Sequence, residues 1–315
     1  MNILKSAIVT AAALAFTALV PFAAAGAADK IIIGCTATTD CASAAVAEKE
    51  GIFEKNGLDA HMLLIGLNSN IPAALLSNSI QIGGPTPSVF LQAVDGGLDL
   101  VAVAGASVSD KSTADTAAVV ARPDSGIKTA KDFVGKKVGA PGIGAFLQVL
   151  FAQWLIQNGV DPKQVNFVEV TFPTMNDVLK SGAVDAVVTA GPVMANMINS
   201  KTGVVVSHYL EELPDGKPQV MLAATRSWAD AHPAQLAAFR KSLDEAAKIV
   251  NSDPDKAREA LSGFTKIPMK VLSTIKVSVS DPKITKEQLD WWVDVMNKQD
   301  MLQKKAPDTA ALIAK

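Results

Sequence analysis

The chain has 315 residues, with 29 Lys and Arg against 31 Asp and Glu, a formal net charge of -2 and 5% aromatic residues. That length can bury a sizeable core and accommodates two α/β lobes. No Lys/Arg cluster is interleaved with aromatic residues, which excludes a nucleic-acid surface, and the scattered His61, His208 and His232 make no metal-ligand spacing.

Residues 1–28 carry an early Lys5, an apolar run over 7–20, Pro21 and a small-residue stretch over 23–28. This reads as a secretory signal peptide cleaved after Ala27 or Ala28, so a soluble, periplasmic protein is expected. No later segment reaches the roughly 18 to 20 apolar residues that a membrane span requires. The two cysteines, Cys35 and Cys41, lie in the exported part. They are candidates for a disulfide, for reduced buried thiols or for thiols facing a pocket, because pairing geometry is not contained in spacing.

Residues 30–34 predict a buried strand, followed by the polar loop Cys35-Thr-Ala-Thr-Thr-Asp40 and a helix over 41–50. Asp40 falls at the N-cap position and is expected to cap that helix. The hydroxyls of Thr36, Thr38 and Thr39 have no comparable duty and are candidates to face a ligand. A strand near 61–65 and a helix over 71–76 lead to Gly83-Gly-Pro-Thr-Pro-Ser88, a strand end that opens a helix. Residues 100–104 and 117–121 are apolar without alternation, as suits central strands covered on both faces. Arg122-Pro-Asp-Ser-Gly126 is read as the first crossing between lobes.

A short helix near 130–133, a strand over 137–140 and the loop Pro141-Gly-Ile-Gly144 precede a helix over 145–157, whose stripe of Leu147, Leu150, Phe151, Trp154 and Leu155 faces a core. The loop lacks the Gly-Lys-Ser/Thr of a Walker motif and the spacing of a dinucleotide fingerprint. A strand over 165–171 precedes Thr174-Met-Asn-Asp177, a candidate capping box. A strand over 184–188 then delivers Thr189-Ala-Gly-Pro192 to another helix start. Residues 203–207 are a further strand, and the turn-rich 213–218 with a strand over 219–224 is read as the return crossing. The rest is mainly helical, with a capping box at Thr285-Lys-Glu-Gln288 and Trp292 in the apolar stripe of its helix, read as core.

Four strand ends thus run into helix starts. A helix start leaves unpaired N–H donors and a partial positive charge, and the crevice beyond strand carboxyl ends is where open α/β sheets bind ligands. The candidate ligand-binding residues are Thr36, Thr38, Thr39 and Asp40; Thr86, Pro87 and Ser88; Gly142, Ile143, Gly144 and Ala145; and Thr189, Ala190, Gly191 and Pro192. No catalytic residue, metal ligand or cofactor site is expected.

Three blocks, Ala47-Glu-Lys-Glu-Gly-Ile-Phe-Glu-Lys-Asn-Gly-Leu58, Ser125-Gly-Ile-Lys-Thr-Ala-Lys-Asp-Phe-Val-Gly-Lys-Lys-Val-Gly139 and Leu179-Lys-Ser-Gly-Ala-Val-Asp-Ala186 followed by Pro192, resemble the nitrate/sulfonate/taurine class of periplasmic substrate-binding proteins of ABC importers. The resemblance implies an α/β, two-lobe periplasmic-binding-protein fold of type II with two interlobe crossings and a ligand cleft. Lobe 1 is then 29–121 with 222–315 and lobe 2 is 122–221, with hinges near 121–124 and 217–221. It also implies a monomeric, non-enzymatic solute-binding component that closes on a small molecule and delivers it to a membrane permease. The candidate loops hold no Lys or Arg, and their sole formal charge is Asp40. A small organic anion of sulfonate or carboxylate type is therefore expected rather than a small dianion. A pyrimidine-like or amine ligand is the alternative if Asp40 faces the cleft. The apolar Ile143, Phe146 and Val193 suggest an organic body. Rival functions are a sensor-linked binding protein and an enzyme similar to the fungal thiamine-pyrimidine synthases, although the candidate loops contain no histidine and the chain no cysteine cluster.

Overall fold

The computed structural model describes residues 30–304 and 307–315, so the expected signal peptide over 1–28 lies outside the described residues. Two mixed sheets organise the chain. In the first, strands β1 (Ile31–Cys35), β2 (Ala60–Leu64), β3 (Ile82–Gly83), β4 (Leu100–Val108), β10 (Pro218–Thr225) and β11 (Val279–Ser280) lie in the order β11-β4-β10-β3-β1-β2. The second is β7-β6-β8-β5-β9, formed by β5 (Ala117–Ala121), β6 (Lys137–Ala140), β7 (Asn166–Glu169), β8 (Ala186–Ala190) and β9 (Val204–Ser207). Each sheet contains a parallel trio, β2-β1-β3 and β7-β6-β8, flanked by antiparallel strands.

The apolar runs explain the central strands. All nine residues of β4 and all five of β5 are buried, as expected where helices cover both faces. Adjacent strands β1 and β3 send their helices, Ala42–Lys49 and Pro87–Asp95, into two different hydrophobic clusters. Such a divergence opens a crevice at the strand ends.

The crossings lie elsewhere than the sequence suggested. β5, expected in the first lobe, pairs with β8 and β9 in the second sheet. The outward crossing is therefore 109–116, and the return is 208–217, ahead of β10. An apolar strand run carries no mark of which sheet it joins, and Arg122 begins a turn inside the second lobe, its N–H donating to the Asp185 carbonyl at 2.9 Å. The two crossings are tied together at Ser109, whose N–H donates to the Lys217 carbonyl (2.8 Å) while its own carbonyl accepts from Gly216 N–H (2.8 Å).

The Thr285/Gln288 capping box is formed, with Gln288 N–H donating to Thr285 Oγ1 and Gln288 Oε1 accepting from Thr285 N–H. The expected box at Thr174 is not. A 3-10 turn, Phe172–Thr174, precedes that helix, and the Thr174 hydroxyl donates back to the Thr171 carbonyl instead. Trp292 is fully buried, donating from Nε1 to the Pro218 carbonyl at 2.9 Å and packing on Phe146 with ring centroids 5.7 Å apart. The carboxy-terminal helix thereby braces both lobes. Among the described residues no helix is long and apolar enough to cross a membrane.

Candidate functional site

A cleft with a cavity volume of about 80 Å³ lies between the two sheets, where the strand ends of both converge. That is room for several waters or a small organic molecule. A larger groove of about 700 Å³ runs along the outer side of the helix Phe146–Gln157, bounded by Ile156, Lys163 and Lys298. The loop after β6 borders that groove through Ile143 and Gly144, whereas strand ends of both sheets converge on the cleft, which is the candidate site.

The first loop is held by a disulfide. Cys35 ends β1 and Cys41 is the N-cap of the helix Ala42–Lys49, and the bond between them closes a ring containing Thr36, Ala37, Thr38, Thr39 and Asp40, all of which line the cleft. Gly84 packs on this bond, and a Cβ there would lie 2.7 Å and 2.9 Å from the two sulfurs. The second loop is held by buried Asn68, which donates from Nδ2 to the Gly84 carbonyl (3.1 Å) and accepts the Thr86 N–H on Oδ1 (2.9 Å). Thr86 then caps the helix Pro87–Asp95 through its hydroxyl.

From the second lobe, Ala145 and Ala190 are the N-caps of the helices Phe146–Gln157 and Gly191–Asn199, and neither side chain caps. Their first-turn N–H groups, less the one that Pro192 lacks, are thus left for whatever occupies the cleft. Phe146, Leu147, Phe172 and Leu210 add apolar walls. Behind them Tyr209 donates its hydroxyl to the Leu147 carbonyl at 3.0 Å, and burial pushes its phenol well above its ordinary range.

Of the sequence candidates, Thr36, Thr38, Thr39, Asp40, Thr86, Ala145, Ala190, Gly191 and Pro192 come together on the cleft. Six do not. Thr189 is fully buried in β8, because alternation along the strand turns it away from the face of Ala190. Pro87 is the first helical residue and Ser88 is buried, its hydroxyl 3.2 Å from that of Thr86. Gly142, Ile143 and Gly144 form a contact between lobes. Ile143 is 44% exposed, and Gly144, with φ at +74°, offers its carbonyl to Gln92 Nε2 at 3.0 Å. Side chains are also missing from the sequence list, chiefly Asn68, Gln219, Lys276 and Ser278. Asn68, Lys276 and Ser278 arrive from segments with no glycine-proline signature, and Gln219 follows the turn-rich 213–218, which reads as a crossing and not as a helix start.

Asp40 does not cap. The helix Ala42–Lys49 has no side-chain cap hydrogen bond, and the Asp40 carboxylate instead accepts the hydroxyls of Thr38 (2.7 Å), Ser107 (2.8 Å) and Ser278 (3.1 Å). Cys41 is the N-cap residue, which leaves Asp40 one position ahead of it, where the β4 hydroxyl of Ser107 meets its carboxylate. Lys276, the cationic residue on the cleft, holds both carboxylate oxygens of Asp115 at 2.8 Å.

Two lobes joined by paired crossings, with a cleft at the strand ends, are the fold of the periplasmic binding proteins. The chain superposes with a TM-score of 0.73 on the alkanesulfonate-binding protein SsuA from Xanthomonas axonopodis pv. citri, solved bound to MOPS, at 16% identity, covering 90% of this chain and 97% of that one. It superposes equally, with a TM-score of 0.73, on the periplasmic nitrate-binding protein NrtA from Synechocystis, at 15% identity and covering 90% and 85% of the two chains. Residues 38–257 match the model of the NMT1/THI5-like family, and the chain belongs to that family. It is also similar to the nitrate import ATP-binding protein NrtC of Synechocystis sp., 24% identical over 254 residues. That match covers 76% of this chain and 37% of the relative, so the chain spans little more than a third of that protein's length.

Proposed function

We propose that this chain is the solute-capturing component of an ABC importer, exported by its first 28 residues, acting as a periplasmic monomer and passing its ligand to a membrane permease. The observation that carries this reading is the convergence on one cleft of helix starts from both lobes, two of them in the second lobe without side-chain caps. Such starts hold an oxyanion by N–H donors without a formal cation. With the apolar walls of Phe146, Phe172 and Leu210 they suit a small organic acid of sulfonate or carboxylate type. The likeness in fold to alkanesulfonate- and nitrate-binding proteins supports a binding role.

A thermal-shift screen over sulfonates, carboxylates, nitrate and pyrimidines tests the reading. A ligand at 100 times its Kd stabilises the folded state by about 2.7 kcal/mol, which is several degrees in Tm. At least one organic acid is expected to do so, and Ala190→Trp, which fills the cleft, is expected to abolish the shift. An equal shift in the filled variant would place binding elsewhere.

A further inference from the structure

We propose that the groove of about 700 Å³ beside the helix Phe146–Gln157 is a second ligand site, for a small apolar molecule with an uncharged carboxamide head, and that its occupant bridges the two lobes. The site is separate from the cleft and does not depend on what the cleft binds.

Both lobes wall the groove. Gln92 and the turn from Lys298 to Met301 belong to the first, and Ile143, Gly144, one face of the helix and Phe167 to the second. The volume lies within the roughly 300–1,000 Å³ of small-molecule sites. Gln148, Ala152 and Ile156 are spaced four apart on that helix face, which sets about 12 Å between the first and the last. The end at Ile156 is apolar, with Val160, Val165 and Phe167 beside it. The end at Gln148 is made of amides.

Three glutamines line that end, and each uses only half of its amide to hold the backbone. Gln148 Oε1 accepts the Gly144 N–H at 2.9 Å, Gln92 Nε2 donates to the Gly144 carbonyl at 3.0 Å, and Gln299 Nε2 donates to the Val149 carbonyl at 3.0 Å. These bonds fix which end of each amide is oxygen. Among the described residues, Gln148 Nε2, Gln92 Oε1 and Gln299 Oε1 are left without a partner. Gln148 is only 9% exposed, so its unpaired N–H donors are withdrawn from bulk water while the side chain lines the groove. A buried donor left unpaired is unfavourable, and a ligand acceptor relieves it. One free donor group and two free acceptors are the complement of a carboxamide, whose oxygen accepts from Gln148 and whose nitrogen donates to the Gln92 and Gln299 oxygens. A carboxylate head has no donor for those oxygens, and an ammonium head has no acceptor for Gln148. The formal charges of the lining, Lys163 and Lys298 against Asp161 and Asp300, cancel, so the groove as a whole favours neither sign.

The alternative is that the glutamines only clasp the lobes. Gln148→Glu separates the two roles, since a carboxylate oxygen still accepts the Gly144 N–H while the free donor is gone. The test titrates hexanamide, hexanoate and hexylamine into the isotope-labelled protein and follows its amide resonances by NMR. Hexanamide is expected to shift the side-chain amides of Gln92, Gln148 and Gln299 together, with a Kd at least tenfold below that of either charged probe. In Gln148→Glu its binding is expected to weaken tenfold or more with the Gly144 resonance in place. In Ile156→Asp, at a half-exposed position, binding is expected to be lost with the fold retained by circular dichroism. Ala190→Trp, which fills the cleft, is expected to leave hexanamide binding unchanged. Shifts confined to one lobe, a charged probe that binds as tightly as hexanamide, no shift with any probe, or undiminished binding in Gln148→Glu or Ile156→Asp overturn the inference and leave the cleft reading standing. Loss of hexanamide binding in Ala190→Trp also overturns it, by placing the probe in the cleft.

Discussion

Asn68 shows how one side chain can position a binding loop. Its amide spans the Gly84 carbonyl and the Thr86 N–H, two backbone groups that no strand or helix satisfies at this point, and it does so while buried. Truncation would leave both groups without a partner, and a buried polar group so orphaned costs about 1–3 kcal/mol. Asn68→Ala is therefore expected to lose about 2 kcal/mol or more in urea denaturation, with Asn68→Asp intermediate because it keeps the acceptor for Thr86. A loss within the ~0.5 kcal/mol typical of neutral surface changes would mean that the loop holds itself. Asp40 makes the same point from the other direction. The sequence offers it as a helix cap, and the cap position is chemically reasonable, yet the neighbouring Thr38 hydroxyl and two hydroxyls from elsewhere in the fold, Ser107 and Ser278, take the carboxylate.

At the scale of elements, the disulfide ring is the unit that keeps Thr36 to Asp40 on the cleft. The ring is short, with a sequence separation of 6, so by the chain-entropy argument the bond contributes about 2 kcal/mol, less than a bond closing a long loop would. Its effect is expected to be local. The double substitution Cys35→Ala/Cys41→Ala should lower stability by about 2 kcal/mol and speed amide hydrogen exchange at residues 36–40, with β4 and β5 unchanged. Unaltered exchange in the loop would show that packing against Gly84, not the bond, sets its shape. Elements of this kind were legible in the sequence wherever the signal was local. The apolar run 117–121, the strand 137–140 and the helix after Ala145 are where periodicity and glycines put them. What was not legible depends on non-local placement. β5 joins the second sheet because of its pairing with β8 and β9, and Lys276 and Ser278 reach the cleft only through the return of the chain to the first sheet. Thr189 was misread by a single position of strand register, which is enough to reverse the face it occupies.

At the scale of the whole molecule, the two lobes are held together by contacts that bypass the crossings. Glu169 Oε1 accepts both the Ser69 hydroxyl of the first lobe at 2.9 Å and the Ile143 N–H of the second at 3.0 Å. Gln92 Nε2 reaches the Gly144 carbonyl at 3.0 Å, and Gln299 Nε2 reaches the Val149 carbonyl at 3.0 Å. The structure is thus the clasped arrangement, with Ser109 and Lys217 pairing the two crossings at the point where a hinge would turn. In a protein that alternates between open and clasped forms, ligand affinity is the intrinsic affinity reduced by the fraction clasped. Removing a clasp bond should therefore weaken binding without touching the cleft. Each such bond contributes about 1 kcal/mol net, a factor of about five in the population ratio. Glu169→Ala and Gln92→Ala, neither of which lines the cleft, are expected to raise the radius of gyration of the unliganded protein in small-angle scattering. Each should also raise the Kd of whichever screened ligand binds by up to about fivefold, and the double variant should depart from additivity because both bonds hold the adjacent residues Ile143 and Gly144. An increase in Kd with no change in the scattering profile would assign the loss to the loops themselves and not to the balance between open and clasped forms.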